Sequence, residues 1–338
     1  MESMHTSDIK KTKISLVHGS GGRASEELIA SVFAEAFCSD VVDAMEDAAV
    51  LPSLSGRIAV TTDSFVVTPL TFPGGDIGRL AVCGTVNDLL MRGAVPKYIT
   101  SAWILETGAS IEEVAAYARS MAKCAAEAGV QIVCGDTKVV EGDGGIYINT
   151  TGVGEVPEGV DICASGAREG DVIIVSGNMG DHHAAILGCR MSISSDIQSD
   201  AAPLVEMCDK LRPIGVHSMR DVTRGGLATV LHELALASGL EFLLDQESIP
   251  VAQNVRDFAG LLGLDPLYMG NEGKMVAIVA PEDAEAALEA MRSSRYGSDA
   301  AIIGTVRASA HPGLTLKTPI GGLRALGPLE GEGLPRIC

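Results

Sequence analysis

Two sets of alternating strand-like and helix-like segments, separated by a stretch with neither period, constrain this chain more than any other feature. In the first set, Arg57–Asp63 is rich in β-branched residues with a polar end and reads as a strand. Gly75–Arg92 carries Ile77, Leu80, Ala81, Gly84, Leu89 and Leu90 at roughly helical spacing. Ile111–Ala128 is a stronger helix, with Val114, Ala115, Ala118, Met121, Ala122 and Ala125 on one face and Gly129 as its stop. Gln131–Gly135 starts a buried strand, and Ile146–Val153 is expected to pair with it. From Pro157 to Gly170 the pattern breaks into Pro, Gly and polar residues, which places a domain boundary there. A second set follows: strand at Asp171–Ser176, helix at Leu227–Ser238, strand at Lys274–Ala280, and a helix over Pro281–Arg292 opened by its proline. The class is mixed α/β in two halves, without a short-period repeat.

At 338 residues, 46% of them apolar and 20% charged, the chain suffices for two globular domains, each with its own core. No apolar run approaches the roughly 20 residues of a membrane helix, and Met1–Lys13 is polar, so a cytoplasmic protein is expected. The net charge of −19 argues against a nucleic-acid partner. An anionic ligand would need metal ions or glycine-rich backbone. The 8 cysteines form no C-x-x-C, and the internal seven are expected to be reduced core thiols. Cys338 stands apart, behind the loose stretch Gly327–Gly333.

P-loop, Rossmann and kinase signatures are absent, and His232-Glu233 lacks the second histidine of a zinc-protease helix, which leaves it as helix surface. Instead, acidic residues recur at the ends of apolar segments: Glu46-Asp47, Thr62-Asp63, Asn87-Asp88, Gly135-Asp136 and Arg220-Asp221. Any one of them is ordinarily a solvated turn or a helix cap. Together they can converge, and like charges held close call for cations between them. Mg²⁺ takes one or two carboxylates plus phosphate oxygens. Lys138 and Arg224 offer positive charge to phosphates, and Gly19–Gly22 is either a backbone anion nest or a flexible arm.

The segments His18–Gly22, Glu46–Leu51, Thr62–Phe65, Phe72–Gly78, Cys83–Asp88, Gly135–Val140, Ser176–His182, Arg220–Gly226, Asn271–Lys274 and Pro335–Cys338 together resemble the HypE family. These are the hydrogenase-maturation carbamoyl dehydratases of the aminoimidazole ribonucleotide synthetase-like superfamily. His183 departs from the family pattern, which has a small residue there. The resemblance implies an N-terminal arm and first helix over 1–40, and an ATP-binding domain over 41–158 that pairs into a dimeric β-barrel. It further implies a C-terminal α/β sandwich over 168–322 and a flexible tail over 323–338. ATP and Mg²⁺ are the implied cofactors. Asp47, Asp63, Asp88 and Asp136 are the implied metal ligands; Gly21, Gly22, Asn87, Gly135, Lys138, Asp221 and Arg224 join them around the nucleotide. The implied reaction dehydrates a carbamoyl group on Cys338 to thiocyanate, with Glu272 as base and His182 as the alternative. Lys138 is assigned to phosphate or carbamoyl oxygen, and Arg336 to docking the tail. HypF is the implied carbamoyl donor and a HypC–HypD complex the cyanide acceptor, with the chain acting as a homodimer. A small-molecule kinase of the same superfamily and a non-catalytic thiol carrier remain as alternatives.

Overall fold

The structure, a computed structural model, describes residues 13–43 and 48–330. Asp47, Arg336 and Cys338 therefore lie outside the described residues. The first half is built from β1 (Arg57–Phe65), α1 (Ile77–Met91), β2 (Val95–Glu106), α2 (Ile111–Ala128), β3 (Gln131–Val140) and β4 (Ile146–Val156). Asp76 caps α1 by accepting the Arg79 N–H at 2.9 Å, and Gly129 ends α2 in the left-handed region at φ 67°. The four strands lie in the order β1-β4-β2-β3. Strand β4 pairs antiparallel with β1 and β2, while β3 pairs parallel with β2 alone. The expected pairing of the 131 and 146 segments is thus wrong. The twelve-residue strand β2, whose Pro96 and Lys97 weaken its apolar alternation, inserts between them.

Alternation in this sheet buries one face only. Ile99, Trp103, Leu105, Ile146 and Ile148 point to the helices, and Phe33 of the helical run 23–37 stacks on Trp103 at 5.1 Å. The opposite face leaves Ile58 and Val60 at 64% and Ile104 at 43% exposure, with no described element over them.

The second half contains β5 (Val172–Val175), α3 (Asp181–Arg190), α4 (Val205–Leu211), β6 (Val216–Asp221) and α5 (Gly226–Ser238). It continues with β7 (Glu241–Asp245), α6 (Gln253–Leu262), β8 (Met275–Val279), α7 (Ala284–Arg292), β9 (Ala301–Arg307), β10 (Gly313–Lys317) and β11 (Leu323–Leu326). Among the described residues these strands form one sheet, ordered β11-β10-β7-β9-β5-β8-β6. Residues 323–326, expected in the tail, form its edge strand: β11 pairs antiparallel with β10, and Leu326 is buried. The thiol expectation also needs correction. Cys83, Cys124 and Cys208 are buried, but Cys38 is exposed and Cys134, Cys163 and Cys189 are half-buried.

Residues 199–204 strap the halves together. The Ser199 N–H donates to Pro73 O at 2.7 Å, and Ala201 O accepts from Arg79 Nε at 2.7 Å. Asn87, nearly inaccessible in the middle of α1, donates Nδ2 to Ala202 O at 3.0 Å and accepts the Leu204 N–H at 3.0 Å. Arg79 reaches Glu127 at 3.0 Å, and Arg295 from the second half meets the same carboxylate at 3.0 Å.

Candidate active site

A cleft of about 600 Å³ opens where the end of β6, the start of α5 and the 272 segment face β1 and α1. Its walls carry Asp63 from β1, Asp88 from α1, Asp221 from the end of β6, Arg224 from the following loop, and Glu272. Thr61 Oγ1 donates to Asp88 at 2.8 Å, and Thr85 Oγ1 donates to Asp63 at 3.4 Å, so a strand hydroxyl aims the helix carboxylate and a helix hydroxyl the strand carboxylate. Burial and the neighbouring Asp88 push the Asp63 carboxyl up to about 6, against the pull of Arg224. Burial and Asp88 likewise push Asp221 up to about 7. Glu272, at 4% exposure, is raised well above the usual carboxylate range by burial, then by Asp221 and Asp200. A site whose acids repel one another and hold protons is one a cation would relieve. Among the described residues no three His, Cys, Asp or Glu side chains come close enough to bind a metal by themselves. Asp63, Asp88 and Asp221 fit the lesser demand of Mg²⁺ shared with phosphate and water.

Glu272 is held by its neighbours rather than by its own side chain. Its N–H donates to Asp200 Oδ1 at 3.0 Å, and its carbonyl accepts from Asn87 at 3.4 Å. The preceding Asn271, fully buried, accepts the Gly180 N–H at 2.8 Å and donates to Val222 O at 3.1 Å. At Gly273 a Cβ would sit 1.9 Å from Asp200 O, so only glycine lets the strap approach here. Lys274 stands 3.8 Å from the buried Asp200 carboxylate.

Other expected site residues fall elsewhere. Gly21, Gly135, Asp136 and Lys138 line a second cavity of about 400 Å³, whose apolar floor includes Phe33, Phe37 and Trp103. Asp136 accepts from Lys138 at 2.7 Å, and this ion pair, both members more than half exposed, holds the carboxyl below its usual range. The register row Asp63–Thr150–Ser101–Gly135 faces the helices, whereas the next row, Ser64–Asn149–Ala102–Asp136, faces away. Asp63 and Asp136 are thus on opposite faces and three strand gaps apart, about 14 Å. One copy of the chain does not bring the four implied metal ligands together.

Asn87 is a strut between domains rather than a cleft-lining residue. Gly22 serves as N-cap of the helix Arg23–Leu28, and its carbonyl accepts the Ser25 N–H at 2.9 Å. His182 is fully buried, bonded through Nδ1 to Ser199 at 2.7 Å and packed edge-on to Phe72, and lines neither cavity. His183 is buried too, and burial with the adjacent His182 lowers it to about 4. Asp200, Asn271 and Ser199 escaped sequence reading. Asn271 alone carried a signal, its place beside Glu272.

Fold and cleft together define a class. Residues 45–156 match the family model "AIR synthase related protein, N-terminal domain", and 168–317 match its C-terminal domain. This is a two-domain, mixed α/β protein related to AIR synthase. The chain is 47% identical to "Carbamoyl dehydratase HypE" of Azotobacter vinelandii, covering 98% of this chain and 99% of that protein. A crystal structure of HypE in complex with ATP superposes with TM-score 0.92 at 44% identity, over 96% of this chain and 99% of that one. A HypE–HypF complex structure gives TM-score 0.78 at 45% identity, over 91% and 100%. The chain belongs to the HypE family of hydrogenase maturation proteins.

Proposed function

We propose that this chain is an ATP-dependent carbamoyl dehydratase that converts a carbamoyl group on its own Cys338 to a thiocyanate. The observation that carries the reading is the carboxylate-rich cleft with Arg224, in a chain nearly half identical to carbamoyl dehydratases. The carbamoyl oxygen is a poor leaving group. It attacks the γ-phosphorus of ATP, ADP departs, and the oxygen leaves as phosphate when the C–O bond breaks. Two protons leave the nitrogen as the C≡N bond forms. One ends on phosphate and one in solvent, so R–S–C(=O)NH₂ and ATP give R–S–CN, ADP, phosphate and a proton.

Glu272 takes a nitrogen proton; burial, Asp221 and Asp200 raise its pKa, which makes it a stronger base once it is ionised. Arg224 balances the charge gathered in the cleft. Asp63, Asp88 and Asp221 would hold Mg²⁺, which supplies charge neutralisation for the transferring phosphoryl group. HypF loads the thiol, and a HypC–HypD complex receives the cyanide. The second cavity, with its aromatic floor and Asp136–Lys138 rim, suits a nucleotide base and phosphates. A homodimer that covers the exposed sheet face would set the β3 edge of one copy beside the β1 edge of the other. That brings Asp136 and Lys138 of one to Asp63 and Asp88 of the other.

Mass spectrometry of the C-terminal peptide from carbamoyl-loaded protein tests the reaction. Loss of one water on adding Mg·ATP is expected, and Glu272→Gln should slow it at least about 100-fold. ATP turnover with no such loss would overturn the reading.

A further inference from the structure

We propose that Thr229 and Tyr268 form a clasp holding the base of the C-terminal segment on the face of α5 that borders the carboxylate cleft, so that Cys338 enters along a defined path. This rests on the dehydratase reading above. Beyond Leu326 the chain leaves the sheet, and residues 327–330 are exposed. Two hydrogen bonds hold that stretch. Tyr268 donates its hydroxyl to Gly327 O at 3.1 Å, and the Leu329 N–H donates to Thr229 Oγ1 at 3.0 Å.

The Thr229 side chain and the Tyr268 backbone pack on the loop that builds the cleft. Gly225 and Gly226 take φ of +79° and +66°, conformations that suit glycine. A Cβ on Gly225 would lie 2.6 Å from Thr229 Oγ1, and one on Gly226 would lie 2.6 Å from the Tyr268 carbonyl carbon. The double glycine thus lets Thr229 and Tyr268 close on the segment that carries Asp221 and Arg224. Thr229 also stands four residues before Glu233, a cleft-lining residue on the same face of α5 and about 6 Å away. The tail therefore crosses the helix within one turn of the cleft.

Tether length alone does not explain the arrangement. There are 12 residues beyond Leu326 and 9 beyond Leu329. Nine residues span about 30 Å when extended, against about 6 Å from Thr229 to the cleft-lining Glu233. Shortening the free tether from 12 to 9 residues raises effective concentration only about 1.5-fold. What the clasp supplies is the direction of exit. Burial, Asp265 and Glu330 raise the Tyr268 hydroxyl pKa, which keeps it a donor at neutral pH. Two hydrogen bonds at exposed positions are weak enough to open when the thiol must visit a donor or an acceptor.

Hydrogen exchange and single-turnover dehydration test the clasp on the full chain. In Thr229→Val the Leu329 amide should exchange at least fivefold faster, and Thr229→Ser, which keeps the hydroxyl, should restore protection. In Thr229→Val/Tyr268→Phe the Mg·ATP-dependent loss of water from carbamoyl-loaded protein should slow at least fivefold, with loading of Cys338 unchanged. Unaltered exchange at Leu329 would show that the contact is not made, and faster exchange with unaltered turnover would show that it positions nothing. Either outcome overturns the proposal. If the unsubstituted protein itself loses no water, the dehydratase reading falls, and with it the positioning of Cys338, whatever the exchange arm reports.

Discussion

Asp221 shows how one residue links the cleft's chemistry to stability. Its folded pKa of about 7 lies above the model-compound value of 3.8, so the folded state keeps a proton that the unfolded chain gives up. The associated stability is fully present below about pH 4 and is lost as pH rises toward 7, because the folded state binds more protons in between. Asn is isosteric with the protonated acid. Asp221→Asn should therefore melt like the unsubstituted protein at pH 4 but be more stable at pH 8, by up to about 4 kcal/mol, since each pKa unit is worth about 1.4 kcal/mol before relaxation. Thermal melts of the ligand-free protein at both pH values check this, and a stability loss at pH 8 would mean that Asp221 is ionised and paired. Asp63, Asp88 and Asp221 were legible in the sequence because they end apolar segments, whereas Glu233, read as helix surface, also borders the cleft. Asp200 was not legible, since it accepts the Glu272 N–H from a strap that only the fold brings near, and the bonds of Asn271 to Gly180 and Val222 are likewise made only in the fold.

Helix α1 carries two jobs on adjacent residues. Asp88 faces the cleft, and Asn87, one position earlier and about 100° around the helix, faces the strap. Helix periodicity predicted the element, but not that its polar Asn would be buried against a second domain. Sequence pattern located α1 and α2 because their apolar spacing and caps agree. It missed β2, and with it the sheet order, because a strand beginning Val-Pro-Lys reads poorly and pairing partners leave no local trace. Asn87→Ala would leave the Ala202 carbonyl and the Leu204 N–H buried without partners. An orphaned buried group costs about 1–3 kcal/mol, so the substitution should lower stability by about 2–4 kcal/mol. Urea denaturation measures it. It should also loosen the hold on Glu272, whereas an unchanged midpoint would remove Asn87 from the interdomain joint.

At the scale of the whole molecule, the acids expected at the site are split between two places, and the sheet suggests how two copies would bring them together. The acidic motifs read as one set because sequence carries no information on which face or edge a strand presents. In the fold, Asp63 and Asp88 belong to the cleft near edge strand β1, and Asp136 and Lys138 to the edge strand β3. Neither edge pairs with a further strand among the described residues, although Gly19 packs against Val139 of β3, and the face between them exposes Ile58, Val60 and Ile104. An exposed apolar sheet face is expected to be covered by another surface, and a twofold copy would cover it most economically. Val60→Glu places a charge on the edge-strand side of that face, where Val60 also borders the cleft, without touching the core, since the side chain is 64% exposed in one copy. Light scattering should show the unsubstituted chain as a dimer and Val60→Glu as a monomer with an unchanged circular dichroism spectrum. If the two halves of the site come from different copies, Val60→Glu should also lose ATP-dependent dehydration. Mixing Asp63→Asn chains with Lys138→Ala chains should then restore part of it, because one of the two sites in the mixed dimer is intact. Recovery is expected only for a dimeric site; a site complete within one copy gives none, and that result would return Asp136 and Lys138 to a role outside catalysis.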